Sequence, residues 1–414
     1  MNVSQYDGQG RVAVYVPAFP APSETFVVNQ IEGLVEAGLR VDVVAKSAGS
    51  NPEAAGERLG LREVRFQRPL AAGRFRRMLG GARLAAGLAR RHPAVAARSL
   101  DVVRHGRAAA SLRLLYAAEP FVGERYDVVY CHFGPMGLQA VRLRQTGALR
   151  GRVVTVFHGF DVSNTIKLRG PDYYADLFEH GDLLLPVSEY WRRRLIELGA
   201  DPDRILVHRM GIDLPDAIDL THHDMAETVQ LASVARLVEK KGIEYALEAL
   251  ARLPHTPAWR YTIVGDGEER NALERLATDL GIADRVRFTG WQQPDEVDAL
   301  LRRSHVFVAP SVTARNGDQE GIPVAIMEAM GRGLPVISTI HTGIPELVED
   351  GRSGYLVAER AAKALSDAIA RLIGDVHLRK TLGARGREIV AAQHDIRSLN
   401  RRLVELLLDG TAAT

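Results

Sequence analysis

The chain has 414 residues, 46% of them hydrophobic and 25% charged, with a formal net charge of +2 and one cysteine, Cys131. That length favours two domains with separate cores, and the composition excludes a disordered or fibrous chain. A single cysteine excludes an intramolecular disulfide and suits a reducing compartment.

Residues 1–10 are polar and carry no signal-peptide pattern. No apolar run approaches the roughly 20 residues of a membrane-spanning helix. A cytoplasmic protein is expected, with contact to the inner face of the membrane left open. Residues 11–16 (RVAVYV) read as a buried strand, followed by a proline-rich loop. Ser23, Glu24 and Thr25 then open a helix towards Ala37, with Ser23 expected at the N-cap and Glu24 at the positive end of the helix dipole. Gly38 closes it, and residues 41–45 (VDVVA) form the next strand. This order predicts a parallel sheet whose first loop lies at the ligand-binding edge. Ser23, Glu24 and Thr25 are therefore candidates for touching a ligand, against a purely structural turn.

Residues 68–113 hold eleven arginines, no lysine and one acidic residue, Asp101. Arg76, Arg83 and Arg90 recur every seven residues, nearly two helical turns, so they line one face while Met78, Leu79, Leu84 and Leu88 occupy others. Pro93 interrupts the pattern, which predicts two helices. A solvated basic face is one reading; attraction to an anionic membrane leaflet or to a lipid diphosphate is the sharper one. No aromatic residue interleaves with these arginines between Met78 and Tyr116, so nucleic acid is not expected.

Residues 126–133 and 152–157 read as strands. The second delivers His158 at its C-terminal end, the edge where ligands bind in open α/β sheets, with Asp161 three residues on. His132, at the end of the other strand, is expected to be structural or on the acceptor side. Residues 182–188 and 204–208 read as further strands. Asp201-Pro202-Asp203 spells a metal-binding signature, but the proline makes it a turn, and no metal site is expected. Residues 216–228 read as a linker or surface loop.

A second alternating series starts at residue 229. It places Arg236 and Lys241 after its first strand, Gly265 in a glycine turn and Trp291 just past another strand. Trp291 either stacks on a ligand or packs. The stretch GDQEGIPVAIMEAMGRG, residues 317–333, sets Glu320 in a loop and Glu328 in a helix. Pro323 fits the helix's first turn, and Gly331 and Gly333 stop it. Residues eight apart on one helix are rotated by roughly 80°, so the carboxylates converge only if Glu320 precedes the helix and reaches back. The Gly321 and Ile322 amides then face the space below Glu320, where a helix N-terminus favours phosphate.

Glu320-Gly321-Ile322-Pro323 with Glu328, the following GLPVIST (333–339), TGIPELV (342–348) and DG…GYLV (350–357) strongly resembles the E-x7-E region of retaining family-4-type glycosyltransferases. Those enzymes have the GT-B fold, an α/β architecture of two Rossmann-like domains facing a cleft. His158-Gly159-Phe160-Asp161 resembles the family's segment whose histidine faces the donor sugar and phosphate. Arg236-Leu237 with Lys241-Gly242 resembles the segment that grips the donor diphosphate, and Met210-Gly211-Ile212-Asp213 resembles the hinge. The PxxSETF start is similar to transferases of exopolysaccharide and colanic-acid-type pathways. Here it replaces a glycine pair found in many relatives.

The resemblance implies an acceptor-side domain over residues 1–207, a nucleotide-sugar domain over 208–395, and a terminal helix over 396–414 crossing back to the first domain. It implies a retaining, metal-independent hexose transfer from a nucleotide diphosphate sugar, without a cofactor. The expected acceptor is a saccharide, free or linked to a lipid diphosphate. Arg236 and Lys241 would stabilise the leaving diphosphate, Glu320 orient the sugar, Glu328 hold the ribose and His158 act from across the cleft. Gly321, Ile322, Pro323, Val324, Gly265 and Trp291 would complete the donor site, and Ser23, Glu24, Thr25 and Asp161 would face the acceptor. A transferase using a small soluble acceptor, a sugar-nucleotide epimerase and a non-catalytic basic scaffold at the membrane are the alternatives.

Overall fold

The structure, a computed structural model, describes residues 10–21, 24–70, 73–215, 227–254, 256 and 258–409. Twelve strands form two parallel sheets. The first contains β1 (Arg11–Phe19), β2 (Arg40–Ala48), β3 (Glu63–Phe66), β4 (Val128–His132), β5 (Arg152–Phe157) and β6 (Leu183–Pro186). The second contains β7 (Thr228–Val234), β8 (Ala258–Val264), β9 (Val286–Gly290), β10 (Val306–Ala309), β11 (Val336–Thr339) and β12 (Gly354–Val357). Their orders are β3-β2-β1-β4-β5-β6 and β12-β11-β10-β7-β8-β9. The two sheets share one topology, a doubly wound Rossmann order read from opposite ends. Strand order reverses between β1 and β4 in one sheet, and between β7 and β10 in the other.

Central strands such as β4 are buried along their whole length because helices cover both faces. That is why they read as continuous apolar runs rather than alternations. One apolar cluster extends from the first sheet through Ile322, Ile326 and Met327 to Leu403 and Leu407. A second fills the other sheet's far side around Leu247, Tyr261 and Ile369. The helix Val324–Gly331 therefore belongs to the packing that joins the halves.

The terminal helix, Ile396–Leu408, returns to the first sheet's side. Its Asn400 amide donates to the Asn29 carbonyl (3.1 Å), and Arg152 of β5 donates to the Leu406 carbonyl (2.9 Å). The segment leaving the first half runs beside the start of this helix: Ile212 N donates to His394 O (2.9 Å) and Ile396 N to Ile212 O (3.0 Å). Both crossings thus form one two-stranded joint. Glu346 of the second half caps the first half's helix Glu189–Glu197, accepting from the Glu189 and Tyr190 amides at 2.9 and 2.8 Å.

Several local expectations are corrected. Residues 74–118 form five helices, not two. Pro93 starts the second of them, Gly106 (φ +50°) separates the third from the fourth, and Leu112 (φ +62°) the fourth from the fifth. Residues 204–208 make one bridge, Leu184 with Ile205, rather than a strand. Pro323 is the residue before the helix, not within its first turn, and Gly331 is the helix's last residue. The first helix begins at Thr25 with Glu24 at its cap position and no side-chain capping bond. Ser23 and most of the expected linker lie outside the described residues. Asp201-Pro202-Asp203 is a turn closed by Asp201 accepting from Asp203 N (3.1 Å).

Candidate active site

The site forms where the second sheet reverses its order. After β7 the chain passes Arg236 and makes a tight turn, Glu239–Lys241. Gly242 closes that turn at φ +61°, with its Cα pressed against the Pro310 carbonyl so closely that a Cβ would overlap it. Only glycine fits, and this turn aims Lys241 into a small cleft lined by Ser233, Ala235, Ala309, Ser311 and Pro323. Neighbouring Lys240 points elsewhere, pairing with Asp318 at 3.1 Å.

From the other side the loop before the Val324–Gly331 helix delivers Glu320, which is 6% exposed. Its Oε1 lies 2.7 Å from Lys241 Nζ, an ion pair rather than a well-directed hydrogen bond. Burial works to raise the Glu320 carboxyl, but the Lys241 and Lys240 charges win and bring it down to about 2. Glu320 is thus ionised under all ordinary conditions. Glu328, one helix turn and more away, is half-buried, and burial raises its carboxyl against the opposing pull of Arg332.

Two residues not singled out from the sequence complete this support. Glu320 N donates to His341 Nε2 (3.2 Å), so the ring proton sits on Nδ1, which faces Glu359 Oε1 at 2.6 Å. Glu359 also accepts from Thr313 N (2.9 Å). Burial opposes ionisation of Glu359, yet these bonds hold its carboxyl below the usual range. His341 stands just past the end of β11, the same ligand edge that marks His158 past β5, so strand-end position was the available signal.

His158 belongs to the first half. Its ring is held between Phe26 and Phe133, with centroids 4.6 and 4.7 Å away, and stacks on His132 at 5.4 Å. His158 Nε2 is 3.2 Å from His132 Nδ1, while its own Nδ1 has no hydrogen-bond partner among the described residues. Burial, with His132 and His208 nearby, pushes His158 well below the ordinary histidine range, so it is neutral at physiological pH. Asp161 is 1% exposed, and its carboxylate accepts from the amides of Gly134, His158 and Gly159 at 2.9–3.0 Å. It fixes the His158–Gly159 turn, so the expectation that it faces an acceptor is corrected: its oxygens are already used.

The halves meet backbone to backbone at this turn. A Cβ on Gly159 (φ +112°) would lie 2.7 Å from Gly321 N, and one on Gly321 would overlap the His158 carbonyl oxygen. Lys167 Nζ to Arg315 O (2.9 Å) and Asn164 Nδ2 to Asn316 O (3.2 Å) extend the contact. Glu24, half-buried with one carboxylate oxygen that has no hydrogen-bond partner among the described residues, is raised by burial and lowered by the charge of Arg236 from the opposite half. Thr25 and Arg236 are exposed. Gly265 (φ +126°) is packed on the Ala235 carbonyl and so supports the segment carrying Arg236. Trp291 is 55% exposed beyond β9, a large apolar side chain open to solvent on one side.

A buried carboxylate–ammonium pair thus sits at the second sheet's switch point, next to the backbone contact with the His158–Gly159 turn of the first Rossmann sheet. Residues 225–389 match the family model described as glycosyl transferases group 1, and residues 106–215 match that of glycosyltransferase family 4. The chain is 38% identical over 409 residues to WcaL of Salmonella typhimurium, a protein named for colanic acid biosynthesis as a glycosyltransferase, covering 96% of this chain and 99% of the relative. It is 36% identical over 379 residues to the amylovoran biosynthesis glycosyltransferase AmsK of Erwinia amylovora, covering 87% and 90%. The crystal structure of Anabaena Alr3699/HepE with UDP and glucose superposes with a TM-score of 0.70 at 18% identity, over 95% of this chain and 98% of that one, a likeness of fold. The chain belongs to the family-4-type glycosyltransferases of GT-B fold.

Proposed function

We propose that the protein transfers a hexose from a nucleotide diphosphate sugar to an acceptor hydroxyl with retention at the anomeric carbon and without a divalent metal. The observation that carries this reading is the Lys241–Glu320 pair, 2.7 Å apart at the second sheet's ligand edge and roofed by the His158–Gly159 turn. The bond from the anomeric carbon to the leaving phosphate oxygen breaks, and the acceptor oxygen bonds to that carbon on the same face. The acceptor proton passes to the departing phosphate. Arg236 and Lys241 meet the charge that grows on the diphosphate, and fixed cations in a water-poor cleft do this most effectively. Glu320 orients sugar hydroxyls, Glu328 binds the ribose and neutral His158 positions the sugar or phosphate. Trp291 offers its open face to the base.

The names of the relatives support a role in exopolysaccharide synthesis, and the acceptor in this reading is a saccharide carried on a lipid diphosphate. Glu24 and Thr25 stand on that side, and the arginine-rich flank faces an anionic inner leaflet. The test is a panel of UDP-, GDP- and ADP-sugars incubated with EDTA, with and without membrane extract. One donor is expected to be consumed in EDTA, giving product of unchanged anomeric configuration by NMR. An inverted product overturns retention, and turnover only with added divalent metal overturns metal independence.

A further inference from the structure

The helix Arg74–Arg91 has an outer face unlike that of an ordinary surface helix. Its inner side is accounted for: Gly81 packs on Leu112, Tyr116 donates to the Arg77 carbonyl (3.2 Å), and Leu84 and Leu88 are half-buried. The opposite side would normally be polar. Here Phe75 is 80% exposed, Met78 66% and Leu79 47%. These three positions recur at i, i+3 and i+4 and so form one stripe, which Ala82 and Ala86 continue. Arg76, Arg83 and Arg90 run along one edge of that stripe, all exposed, and the helix holds no acidic residue. None of these three arginines has an ion pair among the described residues.

Solvating Phe75, Met78 and Leu79 is unfavourable unless something covers them. Further along the same basic segment Val102 and Val103 are also exposed, at 52% and 100%. The chain leaves β3 at its C-terminal edge, the cleft edge, and reaches this helix's first turn eight residues later. The apolar stripe therefore begins in the segment leaving the acceptor side of the cleft.

We infer that this face is a membrane-docking surface in which Phe75, Met78 and Leu79 insert between lipids while Arg76, Arg83 and Arg90 hold phosphate headgroups of an anionic leaflet. The occupant is a lipid surface because both halves of its chemistry are matched at once. Apolar side chains need a hydrocarbon boundary, and a row of guanidiniums without carboxylates needs phosphates, which arginine binds in a forked geometry. This deepens the electrostatic attraction proposed above by adding insertion, and it is independent of the donor-site reading.

The test is co-sedimentation of the full chain with phosphatidylcholine vesicles containing phosphatidylglycerol, against phosphatidylcholine alone, for wild type, Phe75→Ser/Leu79→Ser and Arg76→Gln/Arg83→Gln. Wild type is expected to bind the anionic vesicles only. The serine variant should lose at least about tenfold in partitioning, from the lost apolar burial. The arginine variant should lose a comparable factor and much of the salt dependence. Donor hydrolysis without vesicles, and the thermal midpoint, should be unchanged in both variants. Loss in the arginine variant alone overturns insertion and leaves simple attraction. No vesicle binding, or a concentration-dependent dimer abolished by the serine changes, overturns the membrane surface while donor hydrolysis still reports on the transferase.

Discussion

The Lys241 ammonium and the Glu320 carboxylate stand 2.7 Å apart, one delivered by a turn after β7 and the other by the loop before the Val324–Gly331 helix. Neither is far from water, yet each is mostly buried, so each needs the other. Removing one leaves an uncompensated buried charge, which is strongly destabilising for such pairs.

Lys241→Ala is accordingly expected to reduce transfer by at least about 100-fold while also lowering stability. Glu320→Gln should lose transfer similarly but keep more stability, because it removes one charge and retains the shape. Turnover with the donor identified in the panel, alongside urea unfolding, separates the two. Near-wild-type turnover in both variants would overturn the site assignment.

Acid stability carries the signature of the same pair. The Glu320 carboxyl is depressed from 4.5 to about 2, so its contribution is present at neutral pH and is lost as pH falls through that window. The shift corresponds to about 3 kcal/mol. Glu320→Gln should flatten the stability curve between about pH 4.5 and 2 relative to wild type, if the fold persists there, as read by urea midpoints.

Histidines add a second, higher window. Burial, reinforced by neighbouring charge, lowers His132 to about 3 and His208 to about 4. Burial also lowers His394 to about 4 although the Met210 carbonyl opposes it. All three are neutral when folded and protonate on unfolding below about pH 6.5, so they stabilise the fold above that value and lose the contribution as pH falls. Each should cost about 2 kcal/mol between pH 6.5 and 5. His208→Gln should make the unfolding midpoint less pH-dependent across that range.

His158 shares the depression but not the full burial. Because it stays neutral, His158→Gln is expected to lower kcat without moving the acid limb of the pH profile. A shifted acid limb would show that the ring works as a protonated group.

The contact between Gly159 and Gly321 sets how closely the halves approach. Gly321→Ala forces the His158 carbonyl away, and a displacement of about 1 Å at a reacting centre costs on the order of 100-fold in rate. The expected result is a large fall in kcat with a more open solution scattering profile.

Trp291 allows a direct test of the proposed base site. Trp191 and Trp259 are buried, at 1% and 3% exposed, so ligand quenching of tryptophan fluorescence should come from Trp291 and vanish in Trp291→Phe. Unaltered quenching in the variant would remove Trp291 from the base site.

Much of the site was legible because it depends on local rules. Lys241 was marked by its resemblance to the lysine-glycine step of the family's diphosphate-gripping segment, and the structure points Lys241 at Glu320 and its neighbour Lys240 at Asp318. Glu320 had to precede its helix, since a helix would splay the two carboxylates. Asp161 was misjudged because a carboxylate near a ligand edge looks the same in sequence whether it faces solvent or three backbone amides. The helix Arg74–Arg91 was read for its arginine period, which concealed that Met78 and Leu79 face outward.

The alternation of strand and helix, the glycine-stopped turns and the motif around Glu320 and Glu328 are properties of neighbouring residues, fixed by backbone sterics and apolar periodicity. These determined two parallel sheets and the side chains that gather at the second sheet's ligand edge. The matching strand order of the two sheets, the His341–Glu359 support beneath Glu320 and the Gly159–Gly321 contact were decided only in three dimensions. Each joins segments 18 to 162 residues apart or relates whole sheets, and no local propensity encodes which distant backbone a glycine will touch. Packing of the apolar cluster through Ile322 and Ile326 brings them together, because that surface is buried together with the first sheet's.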